Sequence, residues 1–188
     1  MNNRERSKKM ITSAVCLALC MVLPFLTGQI QQIGNALCPM HLPVMICGFA
    51  AGPQFGLLTG LIAPLLRSSV FGMPKLFPSA IAMSAELAVY GLVSGLLYRK
   101  LSGVKGRIFI SLISAMLAGR LVWGGVTAVL LGASGKQFTL AAFVTGAFTG
   151  AVPGIILQLV LIPLIVSALE RSGFIGNEKK SEKSEKSI

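Results

Sequence analysis

Apolar residues in this chain come in long blocks, over 10–26, 40–51, 55–70, 77–97, 108–131 and 141–169, and the polar residues collect between and beyond them. Crossing about 30 Å of hydrocarbon takes about 20 apolar residues. The pattern therefore predicts an all-α integral membrane protein, a bundle of six transmembrane helices. The second block is too short to cross comfortably alone, so it is expected to pack inside the bundle or to be partly irregular where protein covers it. Three regions follow: a basic N-terminus at 1–9, a six-helix membrane domain at 10–171, and a charged tail at 172–188. Repeated Ser, Glu and Lys in that tail predict disorder.

Composition agrees with the blocks. Of 188 residues, 54% are hydrophobic and 12% charged, against about 25% charged in an ordinary soluble domain. Mean hydropathy is +0.78. The net charge of +11 would suggest nucleic acid in a soluble protein. Here the basic residues cluster at Arg4, Arg6, Lys8 and Lys9, at Arg99, Lys100, Lys105 and Arg107, and from Arg171 onward, with no aromatic residues interleaved for base stacking. The positive-inside rule accounts for them: with six spans, both termini and the 98–107 loop are cytoplasmic. The outer connections, 27–39, 71–76 and 132–140, then carry only Lys75 and Lys136. Five spans would put a large basic cluster outside. The basic start followed by an apolar stretch is like a signal peptide, but the stretch runs into Pro24 without a small-residue cleavage site, so a retained first helix is expected.

Chemistry inside the membrane is sparse. Cys16, Cys20, Cys38 and Cys47 lack the paired CxxC spacing of a zinc or redox site and read as small buried hydrophobes. Charges within spans are expensive and invite a function. There are three: Arg67 toward the outer end of the third block, and Glu86 and Arg120 near the middles of the fourth and fifth. Two cations against one anion leave a surplus, which suits a ligand carrying a carboxylate. The alternative is a Glu86–Arg120 pair that fixes helix register while Arg67 snorkels to the headgroups. Glu86 and Tyr90 are four apart, and Arg120, Trp123, Gly124 and Thr127 follow i, i+3, i+4, i+7 spacing, so each group shares a helix face.

Other polar residues are weaker signals. The loop 27–39 carries Gln29, Gln31, Gln32 and Asn35 but no charge, which fits a solvated loop or a cover that bonds a neutral part of a ligand. His41 stands alone among the apolar residues and reads as structural. The run RSSVFGMPKLFP at 67–78 breaks the helix into a short turn. Thr145 and Thr149 are candidate ligand contacts or bonds to their own helix, and Gln158 reads as interhelical glue. Ala14 and Ala18 have the small-xxx-small spacing that permits close helix approach.

Six spans in under 200 residues, Ala14-xxx-Ala18 in the first, and the run MHLPVMICGFAAGPQFGLLTGLIAPLLRSSVFGMPKLFPSAIAMSAELAVYGLVSGLLY at 40–98 together resemble the S components of energy-coupling factor (ECF) transporters. The resemblance covers almost the whole chain apart from the tail and is nearest the pantothenate-type or substrate-unassigned group. It implies a small vitamin ligand, docking of Ala14 and Ala18 on a membrane T component, and two cytoplasmic ATPases. The chain lacks a Walker A sequence, so no cofactor is expected here and ATP belongs to the partners. Substrate contacts are expected from Glu86, Tyr90, Arg120, Trp123, Thr127, Arg67, Asn35 and Thr149. A surplus arginine would suit the pantothenate carboxylate. An enzyme would need paired acids or a nucleophile with its base, and a channel a continuous polar pore. The pattern supplies neither.

Overall fold

The computed structural model describes residues 3–27, 37–147 and 149–175, and all of its regular elements are helices. Helix α1 spans Asn3–Val22 and runs into a 3-10 turn at Leu23–Thr27; α2 spans His41–Ala51 and α3 Pro53–Phe71. A π-helical turn at Leu76–Ala80 leads into α4, Ile81–Lys100, and α5 spans Arg107–Ala133. The last apolar block is divided into α6, Leu140–Ala147, a 3-10 turn at Thr149–Ala151, and α7, Val152–Arg171. Among the described residues, five segments are long and apolar enough to cross a membrane, and α2 is a shorter apolar helix. The predicted blocks thus reappear, the largest shift being at α1, which starts at Asn3 within the basic N-terminus and not at residue 10. The break in the last one has a local cause: Pro153 has no N–H to continue an upstream helix, and its ring opens α7 at the first turn instead.

Helix α4 is the centre of the bundle, packed against α2, α3 and α5; α1 lies on α2 and α3, and α7 on α2 and α5. In lipid, where apolar burial alone does not draw helices together, close backbone approach supplies the attraction. Here it comes from glycine. Gly48, Gly52, Gly56 and Gly60 recur every four residues across α2 and α3 and all face α4: Gly48 and Gly56 meet Gly91, Gly60 meets the Leu87 backbone, and Gly52 meets the Arg99 side chain. A Cβ on Gly56 or Gly91 would land in the other residue's helix backbone, so the contact of α3 with α4 requires glycine on both sides. Gly52 is the whole connection between α2 and α3. Its φ of 104° is open only to glycine, and the Arg99 guanidinium lies where a side chain would go.

The end of the bundle carrying the 98–107 loop is pinned by polar contacts. Glu170 accepts from both Tyr98 and Arg107, joining α7 to α4 and α5, and Arg107 Nη2 also donates to the Tyr98 hydroxyl at 3.2 Å. Lys8 Nζ donates to the Phe174 carbonyl at 2.8 Å and lies 4.0 Å from the centre of that ring, tying α1 to the segment after α7.

Candidate functional site

Away from that pinned end, α4, α5, the start of α2 and Cys38 just before it bring five polar side chains together. Glu86 is 14 residues before the end of α4 and Arg120 is 13 residues after the start of α5, so both lie about 20 Å along their helices from the basic loop. Arg120 Nη1 is 3.0 Å from Glu86 Oε1, and Arg120 Nη2 donates to Cys38 Sγ at 3.6 Å. His41, the first residue of α2, holds its Nε2 3.5 Å from the same Glu86 oxygen. Its ring meets the Tyr90 ring at 5.2 Å and 62°. Tyr90 in turn packs against Gly119, where any Cβ would strike the aromatic ring.

All five are buried; Glu86 is 2% exposed and Arg120 7%. Packing alone accounts for their position but not for their polar atoms. His41 Nδ1 and Arg120 Nε have no hydrogen-bond partner among the described residues, and His41 Nε2, the Tyr90 hydroxyl and Glu86 Oε1 have none with aligned geometry. Each buried polar atom left unsatisfied costs about 1–3 kcal/mol. Buried polar atoms in native proteins are paired with protein, water or ligand, so several unpaired ones in one place mark a site that takes further partners. Cys38 adds a second sign of constraint, since its φ of 48° is left-handed backbone that costs a non-glycine residue energy.

The remaining sequence candidates sit elsewhere. Arg67 is buried but apart from Glu86: Nη1 donates to the Met21 carbonyl at 2.7 Å, and the guanidinium lies 5.2 Å from the Phe25 and Phe71 rings. It caps the last turn of α1. Trp123 stacks on Phe143 at 6.3 Å and meets Phe138 edge-on at 6.0 Å, so it clasps α6 and its approach to α5. Thr127 is on the α5 face that carries Arg120. Thr145 and Thr149 are exposed and donate to Ala141 and Val144 carbonyls of their own segment. Asn35, with the glutamines of the 27–39 loop, lies outside the described residues. Gln158 is buried and both its amide atoms lack partners among the described residues, so no interhelical bond from it is seen there.

Ala14 and Ala18 are exposed on α1, beside exposed Met10, Ile11, Val15, Leu19 and Val22. The opposite face is held by small polar groups: Ser13 and Thr59 hydroxyls meet at 2.7 Å, and Cys47 Sγ is 3.4 Å from the same Thr59 oxygen.

The family described as ECF transporter, substrate-specific component, matches residues 8–166. The chain belongs to that family. Membership makes this S component the substrate-binding subunit of an ECF transporter, a multi-pass membrane protein whose partners are a T component and ATPases. Among curated proteins it is similar to the thiamine transporter ThiT of Bacillus subtilis (strain 168), at 23% identity over 130 residues covering 65% of this chain and 68% of ThiT. No solved structure matches the chain.

Sequence reasoning selected Glu86, Tyr90 and Arg120 by charge and helical spacing, and these three lie together. It passed over two others. By sequence Cys38 reads as a small hydrophobe and His41 as a structural residue, because nothing in their sequence neighbourhood announces that α2 starts beside α4 and α5. The four-residue glycine ladder through 48, 52, 56 and 60 was the available signal that α2 and α3 approach α4 closely.

Proposed function

We propose that this S component captures a small vitamin or vitamin precursor from outside and delivers it through the T component and its two ATPases. The Glu86–Arg120–Tyr90–His41 cluster is the pocket in this reading, and both termini and the 98–107 loop face the cytoplasm. The observation that carries it is the group of buried polar atoms without aligned partners among the described residues, about 20 Å along α4 and α5 from the basic loop. Similarity to a protein named a thiamine transporter supports a vitamin as the ligand.

The charge balance bears on which vitamin. Glu86 and Arg120 compensate each other at 3.0 Å, and Arg67 is engaged with Met21, so the pocket has no surplus cation. A ligand without a negative charge binds it as it stands. Pantothenate or another carboxylate-bearing compound is the second reading: its carboxylate would replace Glu86 on Arg120, whose unpartnered Nε would complete a two-pronged contact. Competition between labelled thiamine and unlabelled pantothenate on the detergent-purified subunit separates them. Thiamine binding that excess pantothenate leaves untouched supports the first reading, and the converse supports the second.

Docking falls to the exposed face of α1. Replacing Ala14 or Ala18 with Leu is expected to reduce ATP-driven uptake in vesicles containing the whole transporter, with ligand affinity of the solitary subunit unchanged. Equal loss of affinity in the solitary subunit would assign these alanines to the bundle or the pocket.

A further inference from the structure

Neutral imidazole presents one N–H donor and one acceptor nitrogen, and it rarely stays buried with both unused. His41, 2% exposed, makes no aligned hydrogen bond at either nitrogen among the described residues; Nδ1 is unpaired and Nε2 has only the 3.5 Å contact with Glu86 Oε1. Its position is fixed. The His41 backbone N–H donates to the Cys38 carbonyl at 3.0 Å, and the ring is wedged between Glu86 at 3.5 Å and the Tyr90 ring at 5.2 Å. A histidine kept only for packing would be replaced without loss by an apolar ring of the same shape, sparing the buried nitrogens. What the imidazole adds is a donor and an acceptor set next to a carboxylate that, when ionised, only accepts.

We infer that His41 is a specificity-determining residue of this pocket, reading a ligand edge on which a hydrogen-bond donor stands beside an acceptor. The donor goes to Glu86 and the acceptor to the His41 N–H; the Tyr90 hydroxyl, also without an aligned partner among the described residues, takes either role at the flank. Amides and amino-substituted nitrogen heterocycles have such an edge, whereas a plain carboxylate offers acceptors alone. The inference rests on the proposed ligand-binding function, and it deepens that reading by adding a residue and an edge chemistry.

The test uses the full chain in detergent, with thiamine and pantothenate as probes, and compares His41→Phe and His41→Gln with the unaltered protein. Two readouts are taken: affinity for whichever probe the unaltered protein binds, and the thermal midpoint after exhaustive exchange into ligand-free buffer. His41→Phe is expected to bind at least tenfold more weakly while its ligand-free midpoint is equal or higher, because two unsatisfied nitrogens are gone. His41→Gln, which restores a donor and an acceptor, is expected to recover part of the affinity. Unchanged affinity in His41→Phe would overturn the inference while leaving the binding function intact. So would a ligand-free midpoint well below that of the unaltered protein, or failure of His41→Phe to fold, since both mark a structural residue. If the unaltered protein binds neither probe and retains no small molecule on purification, the functional reading falls and takes the inference with it.

Discussion

Glu86→Gln is the most informative single change. Arg120 is 7% exposed, and its partners among the described residues are the Glu86 carboxylate at 3.0 Å and the Cys38 thiol at 3.6 Å. The amide removes the negative charge and leaves the guanidinium with a weak sulfur acceptor. Two scales bear on the cost. Membrane insertion puts a lone arginine at about 2.5–3.5 kcal/mol, and breaking a buried ion pair by removing one partner costs about 3–5 kcal/mol. The second applies more directly, because protein and not lipid surrounds this pair. At about 2–4 °C per kcal/mol for a chain of this size, the thermal midpoint should fall by about 6–20 °C. Replacing both members, Glu86→Leu with Arg120→Met, removes both charges and should return the midpoint to the native value or above it. Ligand binding should be lost in the single and the double variant alike. Thermal unfolding in detergent gives the first readout and calorimetric titration the second, and the Arg120→Met single variant completes the cycle. A Glu86→Gln protein as stable as the native one would refute the buried pair. A double variant that still binds ligand with native affinity would show the pair to be packing only.

Two further changes probe the frame around the site. Gly91→Ala is expected to abolish correct packing of α3 on α4, because its Cβ meets the Gly56 backbone, whereas Gly125→Ala, with nothing within 4 Å, should leave expression and melting unchanged; size-exclusion profiles of the two variants check this. Arg67→Gln should cost about 1.5–3 kcal/mol of stability through the lost charge-assisted bond to the Met21 carbonyl, with ligand affinity within about twofold of native, and a tenfold loss of affinity at full stability would instead assign Arg67 to the pocket.

Much of the bundle was legible because the bilayer constrains the chain to apolar blocks of fixed length. Each of the six blocks is largely helical, the last divided in two, and the short second one is buried, one of the two outcomes its length allows. The break before Pro153 was missed because a window of pure hydropathy does not register a lost backbone donor. Within the site, periodicity sufficed for Glu86 with Tyr90, which share a helix face, and charge pairing for Glu86 with Arg120. Trp123 shares the Arg120 face by spacing, yet its large ring reaches along that face to the aromatic residues of the following segment. Arg67 was read as either a ligand contact or a headgroup anchor. It does a third thing, capping the last carbonyls of α1, which depends on a helix pairing that spacing does not encode. The same holds for His41 and Cys38, whose partners lie on α4 and α5, more than 40 residues away in sequence.

The central claim is that the buried cluster of Glu86, Arg120, Tyr90 and His41 holds a small vitamin. Mass spectrometry of what is released from the natively purified subunit tests it most directly, with Glu86→Leu/Arg120→Met purified in parallel. The account predicts one small molecule retained in near-equal molar amount by the native protein and absent from the double variant. Equal retention by both, or retention by neither, would contradict it.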